Sequence, residues 1–151
     1  GAAHDVGIVH RDLKPENVFL ARAARDDVPF TLKILDFGIA KLTAEALHAT
    51  TDTIGSPLWM APEQAERGQT ITTATDVWAL GLIAFKALTG LSFWKAASDS
   101  DSSPMMVLRE VVMDPIPLAS ARARDTGSPA IGIDTATLMR RLPPSFLMRE
   151  V

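Results

Sequence analysis

The chain contains no cysteine, which excludes disulfide bonds, zinc–thiolate sites and catalysis by a thiol. It has no apolar run near the roughly 18 residues that a membrane-spanning helix needs, so we expect no membrane segment in it. Basic residues are not in excess either, since 15 Lys and Arg stand against 18 Asp and Glu, for a formal charge of −3. Proteins that coat nucleic acid are normally basic, and we therefore expect no nucleic-acid partner.

A signal peptide is also missing from the start of the sequence. The first residues read Gly-Ala-Ala-His-Asp, without a start methionine, a basic region or an apolar region. We accordingly expect a cytoplasmic location and a chain that begins inside an element of structure. Its 151 residues, 47% of them apolar and 22% charged, have the length and balance of one globular domain.

Two short strands and one long helix are the clearest predicted elements. Residues 17–20 and 32–35 are the candidate strands, and the charged, turn-prone stretch 25–29 between them predicts a hairpin. Residues 76–89 form a helix with Thr75 or Asp76 as its cap and Gly90 at its end. Its side chains are apolar on nearly every face, which predicts a helix buried all round. Residues 39–54 are predicted as a surface loop, 105–113 as a second helix, and the chain beyond 117 as irregular.

Four short motifs carry chemistry. The first, residues 10–17, reads His-Arg-Asp-Leu-Lys-Pro-Glu-Asn and can aim a carboxylate, an ammonium and an amide into one cavity. A carboxylate can accept a proton from an attacking hydroxyl, an ammonium can neutralise a phosphoryl group, and an amide oxygen can bind Mg²⁺. The second, Asp36-Phe37-Gly38, puts a candidate metal ligand at a strand end. The third spans residues 55–63 and the fourth residues 76–81.

Each motif taken alone has a plainer structural interpretation. Asp36-Phe37-Gly38 is then a strand-to-turn junction, Asp76 is a helix cap, and His10 is a packed core histidine. In this fixed order, however, the four motifs resemble the C-terminal lobe of a eukaryotic-type serine/threonine protein kinase. The resemblance is clear over roughly residues 1–118, and the wording of residues 52–66 resembles the bacterial members of that superfamily.

The resemblance implies an α+β fold, namely a protein-kinase-like C-terminal lobe that is mainly α-helical. A small β-hairpin would carry the catalytic loop, and the N-terminal lobe would be absent. Residues 1–151 would then form a partial kinase domain. Its parts would be a catalytic loop at 10–17, an activation segment at 36–63, a buried central helix at 76–89 and a truncated C-terminal part at 115–151.

The resemblance also implies ATP and Mg²⁺ as cofactors. Asp12 would be the catalytic base or would orient the substrate hydroxyl, and Lys14 would contact the γ-phosphate. Asn17 and Asp36 would bind Mg²⁺, and Asp36 would connect the ion to the ATP phosphates.

Further residues match structural positions of the family. His10 and Phe37 would belong to a hydrophobic stack that aligns the active state, and Gly38 would let the loop after Asp36 bend. Asp76 would accept hydrogen bonds from the backbone of the catalytic loop.

The remaining matches concern regulation and residues 55–63, which would form the platform for a peptide substrate. Ser56 would connect the platform to the catalytic loop, and Glu63 would anchor the activation segment. Arg11, with Lys41 as a second contact, would bind a phosphate on the activation segment. The candidate phosphorylation sites are Thr50, Thr51 and Thr53.

The function implied is transfer of the ATP γ-phosphoryl group to serine or threonine hydroxyls of protein substrates. No glycine-rich phosphate loop and no strand lysine precede His10, so we expect the isolated chain to have little activity. The alternative is a non-catalytic, kinase-derived binding or scaffold module, although such modules usually lose one of Asp12, Asn17 and Asp36. A small-molecule phosphotransferase of the antibiotic-kinase type is a third reading, and the platform motif at 55–63 argues against it.

Overall fold

The protein is described by a computed structural model, which covers residues 1–22, 30–37, 56–66, 68–98, 101 and 103–127. Over these residues it is helical with one small sheet. The elements are α1 (Ala2–Asp5), β1 (Val18–Arg22), β2 (Phe30–Ile34), α2 (Pro62–Ala65), α3 (Thr73–Thr89), α4 (Pro104–Met113) and α5 (Ala119–Asp125). Short 3₁₀ turns lie at Pro15–Asn17, Pro57–Trp59 and Ala96–Ser98.

The predicted pair of strands is confirmed. β1 and β2 pair antiparallel, with Val18 opposite Ile34 at one end and Arg22 opposite Phe30 at the other. One more backbone hydrogen bond, from the amide of Leu35 to the carbonyl of Asn17 at 2.9 Å, continues the pairing past the end of the strands. The first two motifs are therefore brought side by side at this end of the sheet. The predicted turn at 25–29 lies outside the described residues.

Helix α3 begins earlier than the sequence predicted. Its cap is Thr72, whose hydroxyl accepts from the amide of Ala74 at 3.2 Å, while the Thr75 hydroxyl accepts from the amide of Thr72. The prediction of Thr75 or Asp76 as the cap is wrong, because several threonines precede Asp76 and an earlier one, Thr72, takes the cap position. The predicted end is confirmed, since Gly90 has φ 78° and its amide bonds to the carbonyl of Lys86 at 2.8 Å.

The prediction that this helix is buried on every side is wrong. Ala79 and Phe85 face the core, whereas Val77 is 61% exposed and Leu80 is 43% exposed. Beside Val77 runs an apolar groove of about 600 Å³, whose lining includes Trp78 and Phe93. An apolar surface on every face shows that each face can be buried, but it does not show which part of a protein covers it.

Among the described residues, the core consists of two clusters that share helix α3. The larger one joins α3 to α4 and α5 through Leu82, Phe85, Phe93, Trp94, Val107, Val111 and Ala123. The smaller one joins α3 to the first motif and β1 through Leu13, Val18, Ala79 and Ile83. The smaller cluster fixes the position of the first motif relative to α3.

A buried ion pair connects α4 to α5. Arg122 donates to Glu110 Oε1 at 3.0 Å, and the Glu110 carboxylate also accepts from the amides of Lys95 and Ala96 at 3.0 and 2.8 Å. The prediction that the chain is irregular beyond 117 is therefore wrong for Ala119–Asp125, where this long-range ion pair accompanies a short helix. The predicted loop at 39–54 and residues 128–151 lie outside the described residues. Within the described part of the chain, no helix has the length and apolarity needed to cross a membrane.

Candidate active site

Asp76 holds the backbone of the first motif. This carboxylate is 2% exposed and lies in the first turn of α3. It accepts from the amide of His10 at 2.8 Å and from the amide of Arg11 at 2.9 Å, and His4 Nε2 lies 2.7 Å from it. Arg11 has φ 66°, a conformation that costs free energy in a residue with a Cβ. Hydrogen bonds to a buried carboxylate are strong enough to hold such a backbone.

His10 connects this loop to the end of β2. Its Nδ1 accepts from the amide of Asp12 at 3.3 Å, so the ring proton is assigned to Nε2, which donates to the carbonyl of Leu35 at 2.9 Å. Its ring centroid lies 4.7 Å from that of Phe37. The imidazole is 3% exposed and thus joins the first motif to residues 35–37 from the interior.

Three polar side chains of the first motif converge beyond this histidine. Lys14 Nζ lies 3.2 Å from Asp12 Oδ2, and Asn17 Nδ2 donates to the carbonyl of Asp12 at 2.9 Å. The 3₁₀ turn at Pro15–Asn17 reverses the chain, and Asn17 can therefore reach back to Asp12. With its nitrogen used in this way, the amide of Asn17 keeps its oxygen for a cation.

The backbone of Asp36 lies near that of Asn17. Leu35 alone separates Asp36 from the end of β2, and the Leu35 amide donates to the carbonyl of Asn17 at 2.9 Å. Asp36 has φ 56° and is exposed. One amide oxygen and one carboxylate are a suitable donor set for Mg²⁺, which proteins usually bind together with phosphate oxygens and water. The described residues contain no group of three or more His, Asp or Glu side chains that could hold a metal ion.

Ser56 and Glu63 belong to the third motif. Exposed Ser56 lines a small cavity together with Asp12 and Lys14. Glu63 accepts from the Thr75 hydroxyl at 2.7 Å, a contact that ties α2 to the start of α3. Gly38 and Lys41 lie outside the described residues, and the same holds for the candidate phosphorylation sites Thr50, Thr51 and Thr53.

Sequence reasoning missed three residues of this site. They are His4, which contacts Asp76, Thr75, which donates to Glu63, and Gln64, whose Nε2 donates to the carbonyl of Arg11 at 2.7 Å. None of them belongs to a short motif with its partner. The sequence separations of these pairs are 72, 12 and 53 residues, too long for a local pattern to show the contact.

Comparison with known proteins agrees with this geometry. The family model for the protein kinase domain matches residues 2–133. The serine/threonine-protein kinase Pkn1 of Myxococcus xanthus is 50% identical over 91 residues, which are 59% of this chain and 13% of that protein. The kinase pkn3 of the same organism is 37% identical over 134 residues, which are 85% of this chain and 23% of that protein.

A relative from another bacterium gives the same result. The serine/threonine-protein kinase PknB of Mycolicibacterium smegmatis is 34% identical over 118 residues, or 76% of this chain. The chain spans between about one eighth and one quarter of the length of these relatives, and so covers only part of a kinase domain. From the family match and the arrangement of the four motifs, the chain belongs to the protein kinase family, in a branch with bacterial serine/threonine kinases.

Proposed function

We propose that this chain forms the C-terminal lobe of an enzyme that transfers the γ-phosphoryl group of ATP to serine or threonine hydroxyls of proteins. The observation that carries the proposal is the grouping of Asp12, Lys14 and Asn17 in one loop, whose end is hydrogen-bonded to Leu35, the residue before Asp36. These groups supply a proton acceptor, a positive charge and two oxygen ligands. Phosphoryl transfer depends on such positioning and charge stabilisation.

In this reaction the substrate hydroxyl oxygen forms a bond to the γ-phosphorus, and the bond from that phosphorus to the bridging oxygen of ADP breaks. Asp12 orients the hydroxyl and accepts its proton at Oδ1 or Oδ2. Lys14, whose ammonium is 3.2 Å from Asp12 Oδ2, can offset the negative charge on the phosphoryl oxygens.

Asn17 and Asp36 would hold Mg²⁺, through the amide oxygen and the carboxylate. When bound, the ion neutralises charge on the ATP phosphates and aligns them. The protein kinase family generally uses ATP and Mg²⁺, and these two residues provide oxygen ligands of the right kind. The hydrogen bond from Asn17 Nδ2 to the carbonyl of Asp12 would keep the amide oxygen turned outward.

The substrates we propose are proteins rather than small molecules. Residues 55–63 match the peptide platform, and within the described part of this segment Glu63 accepts from the Thr75 hydroxyl at the start of α3. Trp94 contacts the same segment, donating from Nε1 to the carbonyl of Leu58 at 3.0 Å. A platform held at two points in this way is suited to present a peptide to Asp12.

The test is phosphorylation of a generic basic protein by the full-length enzyme, followed by phosphoamino acid analysis. We expect phosphoserine and phosphothreonine from the parent and from Asp114→Asn, a matched exposed control, and at least a hundredfold slower transfer from Asp12→Asn. Residues 1–151 alone are expected to show little transfer. Binding of ATP without any transfer by the parent enzyme would instead support a scaffold module.

A further inference from the structure

The side chain of Gln64 connects two segments of the site. It lies in α2, next to Glu63, and its Nε2 donates to the carbonyl of Arg11 at 2.7 Å. Its Oε1 accepts from the amide of Ala61 at 3.0 Å. One amide side chain therefore contacts both the catalytic loop and the start of α2, the platform helix, although Gln64 and Arg11 are 53 residues apart in sequence.

The bond to Arg11 acts on the peptide unit that precedes Asp12. This unit consists of the carbonyl of Arg11 and the amide of Asp12, and it is planar. Gln64 Nε2 holds its oxygen, and His10 Nδ1 accepts from its N–H at 3.3 Å. Rotation of this plane would swing Asp12 away from its place, so these two side chains limit the direction in which Asp12 points.

The backbone at this point needs such support. Arg11 has φ 66°, and a residue in this region returns to a more favourable conformation unless its surroundings hold it. Asp76 holds the amide of Arg11 at 2.9 Å, but it does not reach the carbonyl on the other side of the same residue. Gln64 provides the second contact.

Helix capping does not explain this contact. A side chain at the third position of a helix caps the start by accepting from the backbone amide there, and Gln64 Oε1 already does so with Ala61. The Nε2 group takes no part in the cap and donates to the carbonyl of Arg11 instead. A glutamate would cap equally well, whereas only an amide can also donate to the carbonyl.

We propose that Gln64 is a positioning residue that orients Asp12 by holding the Arg11 carbonyl, so that the platform helix and the catalytic loop adopt the active arrangement together. The proposal rests on the proposed kinase function. It assigns to the residue after Glu63 a role in the phosphoryl-transfer step, although Gln64 does not contact the reacting atoms. The expected effect is therefore on kcat rather than on the KM values for ATP or peptide.

The experiment compares Gln64→Glu with Gln69→Glu in the full-length enzyme. Both variants exchange an amide for a carboxylate, but Gln69 is exposed and its Nε2 donates to exposed Glu66 at 2.9 Å. We expect Gln64→Glu to lower kcat about tenfold or more, because an oxygen then faces the Arg11 carbonyl. Both KM values are expected to stay within about twofold of the parent, and Gln69→Glu to match the parent in every measurement.

Hydrogen exchange by mass spectrometry over residues 8–14 provides a readout that does not depend on transfer. We expect the Asp12 amide to exchange at least about tenfold faster in Gln64→Glu, with the exchange of α3 unchanged. If Gln64→Glu does not fold, Gln64→Met is measured in its place, since it has similar length and no donor.

Parental kcat together with parental exchange at Asp12 would overturn the proposal, and so would a rise in KM at constant kcat. If the parent enzyme transfers no phosphate, the proposed function fails. The exchange measurement still decides whether Gln64 holds the loop.

Discussion

The contacts of Asp76 make a quantitative prediction about Asp76→Asn. The carboxylate receives three donors, which are the amides of His10 and Arg11 and the ring nitrogen of His4. An asparagine keeps one acceptor oxygen and places an NH₂ group where the second oxygen was. His4 can still accept from that group in its other tautomer, but one backbone amide then faces a donor.

The cost follows from these contacts. A hydrogen bond to a charged acceptor contributes about 1.5–3 kcal/mol, and a buried donor without a partner costs about 1–3 kcal/mol. Because Asp76 is 2% exposed, water does not replace the lost acceptor. We therefore expect the free energy of unfolding to fall by about 3 kcal/mol, which for a domain of this size lowers Tm by about 6–12 °C.

The assay is thermal and urea unfolding of the variant beside Asp114→Asn, which makes the same change at an exposed position. The control is expected to stay within about 0.5 kcal/mol of the parent. His4→Ala removes only one of the three donors and is expected to cost about 1 kcal/mol. If the free energy of unfolding of Asp76→Asn equals that of Asp114→Asn, the reasoning is refuted, because the carboxylate then does not hold the loop.

Three further predictions concern the metal ligands, the exposed helix face and regulation. In the full-length enzyme, Asp36→Asn is expected to abolish turnover. Asn17→Ala is expected to raise the Mg²⁺ concentration at which the rate is half-maximal. Near-parental rates of either variant at low Mg²⁺ would contradict its role as a metal ligand. The exposed apolar face of α3 predicts that residues 1–151 self-associate. Sedimentation velocity should show less association for Val77→Lys. A monomeric parent chain would show that this prediction is wrong. After incubation with ATP, mass spectrometry is expected to find phosphate in the activation segment at Thr50, Thr51 or Thr53. Substitution of all three by alanine should lower the activity. Unchanged activity of this triple variant would show that the segment needs no phosphate.

Local chemistry explains which features the sequence could predict. The strand pair was predicted because two short strand candidates flank a charged, turn-prone stretch. The end of α3 was predicted because Gly90 accommodates the left-handed conformation that the helix end requires. The first motif was found because its polar residues lie within eight positions. In each of these cases the sequence signal and the structure that it produces lie in the same few residues.

The features that could not be predicted depend on which distant groups meet. Nothing around Gln64 indicates that its nitrogen finds the carbonyl of Arg11, 53 residues earlier. The burial of α3 was overestimated because hydrophobicity does not identify a covering partner, and Val77 is exposed in spite of its side chain. Helix α5 was missed because its polar sequence has no clear period, while the bond from Arg122 to Glu110 joins it to α4.

The large sequence separation between Asp76 and its hydrogen-bond partners also determines the order in which these parts of the protein fold. Its partners precede it by 72, 66 and 65 residues, so the segment that contains Arg11 cannot take its final conformation until α3 has formed and docked. Contacts over such separations form slowly, because the loop between them must first be closed. During synthesis, the segment that contains Arg11 leaves the ribosome well before the helix that shapes it. Its backbone can settle at φ 66° for Arg11 only after α3 has formed and Asp76 accepts from the amides of His10 and Arg11.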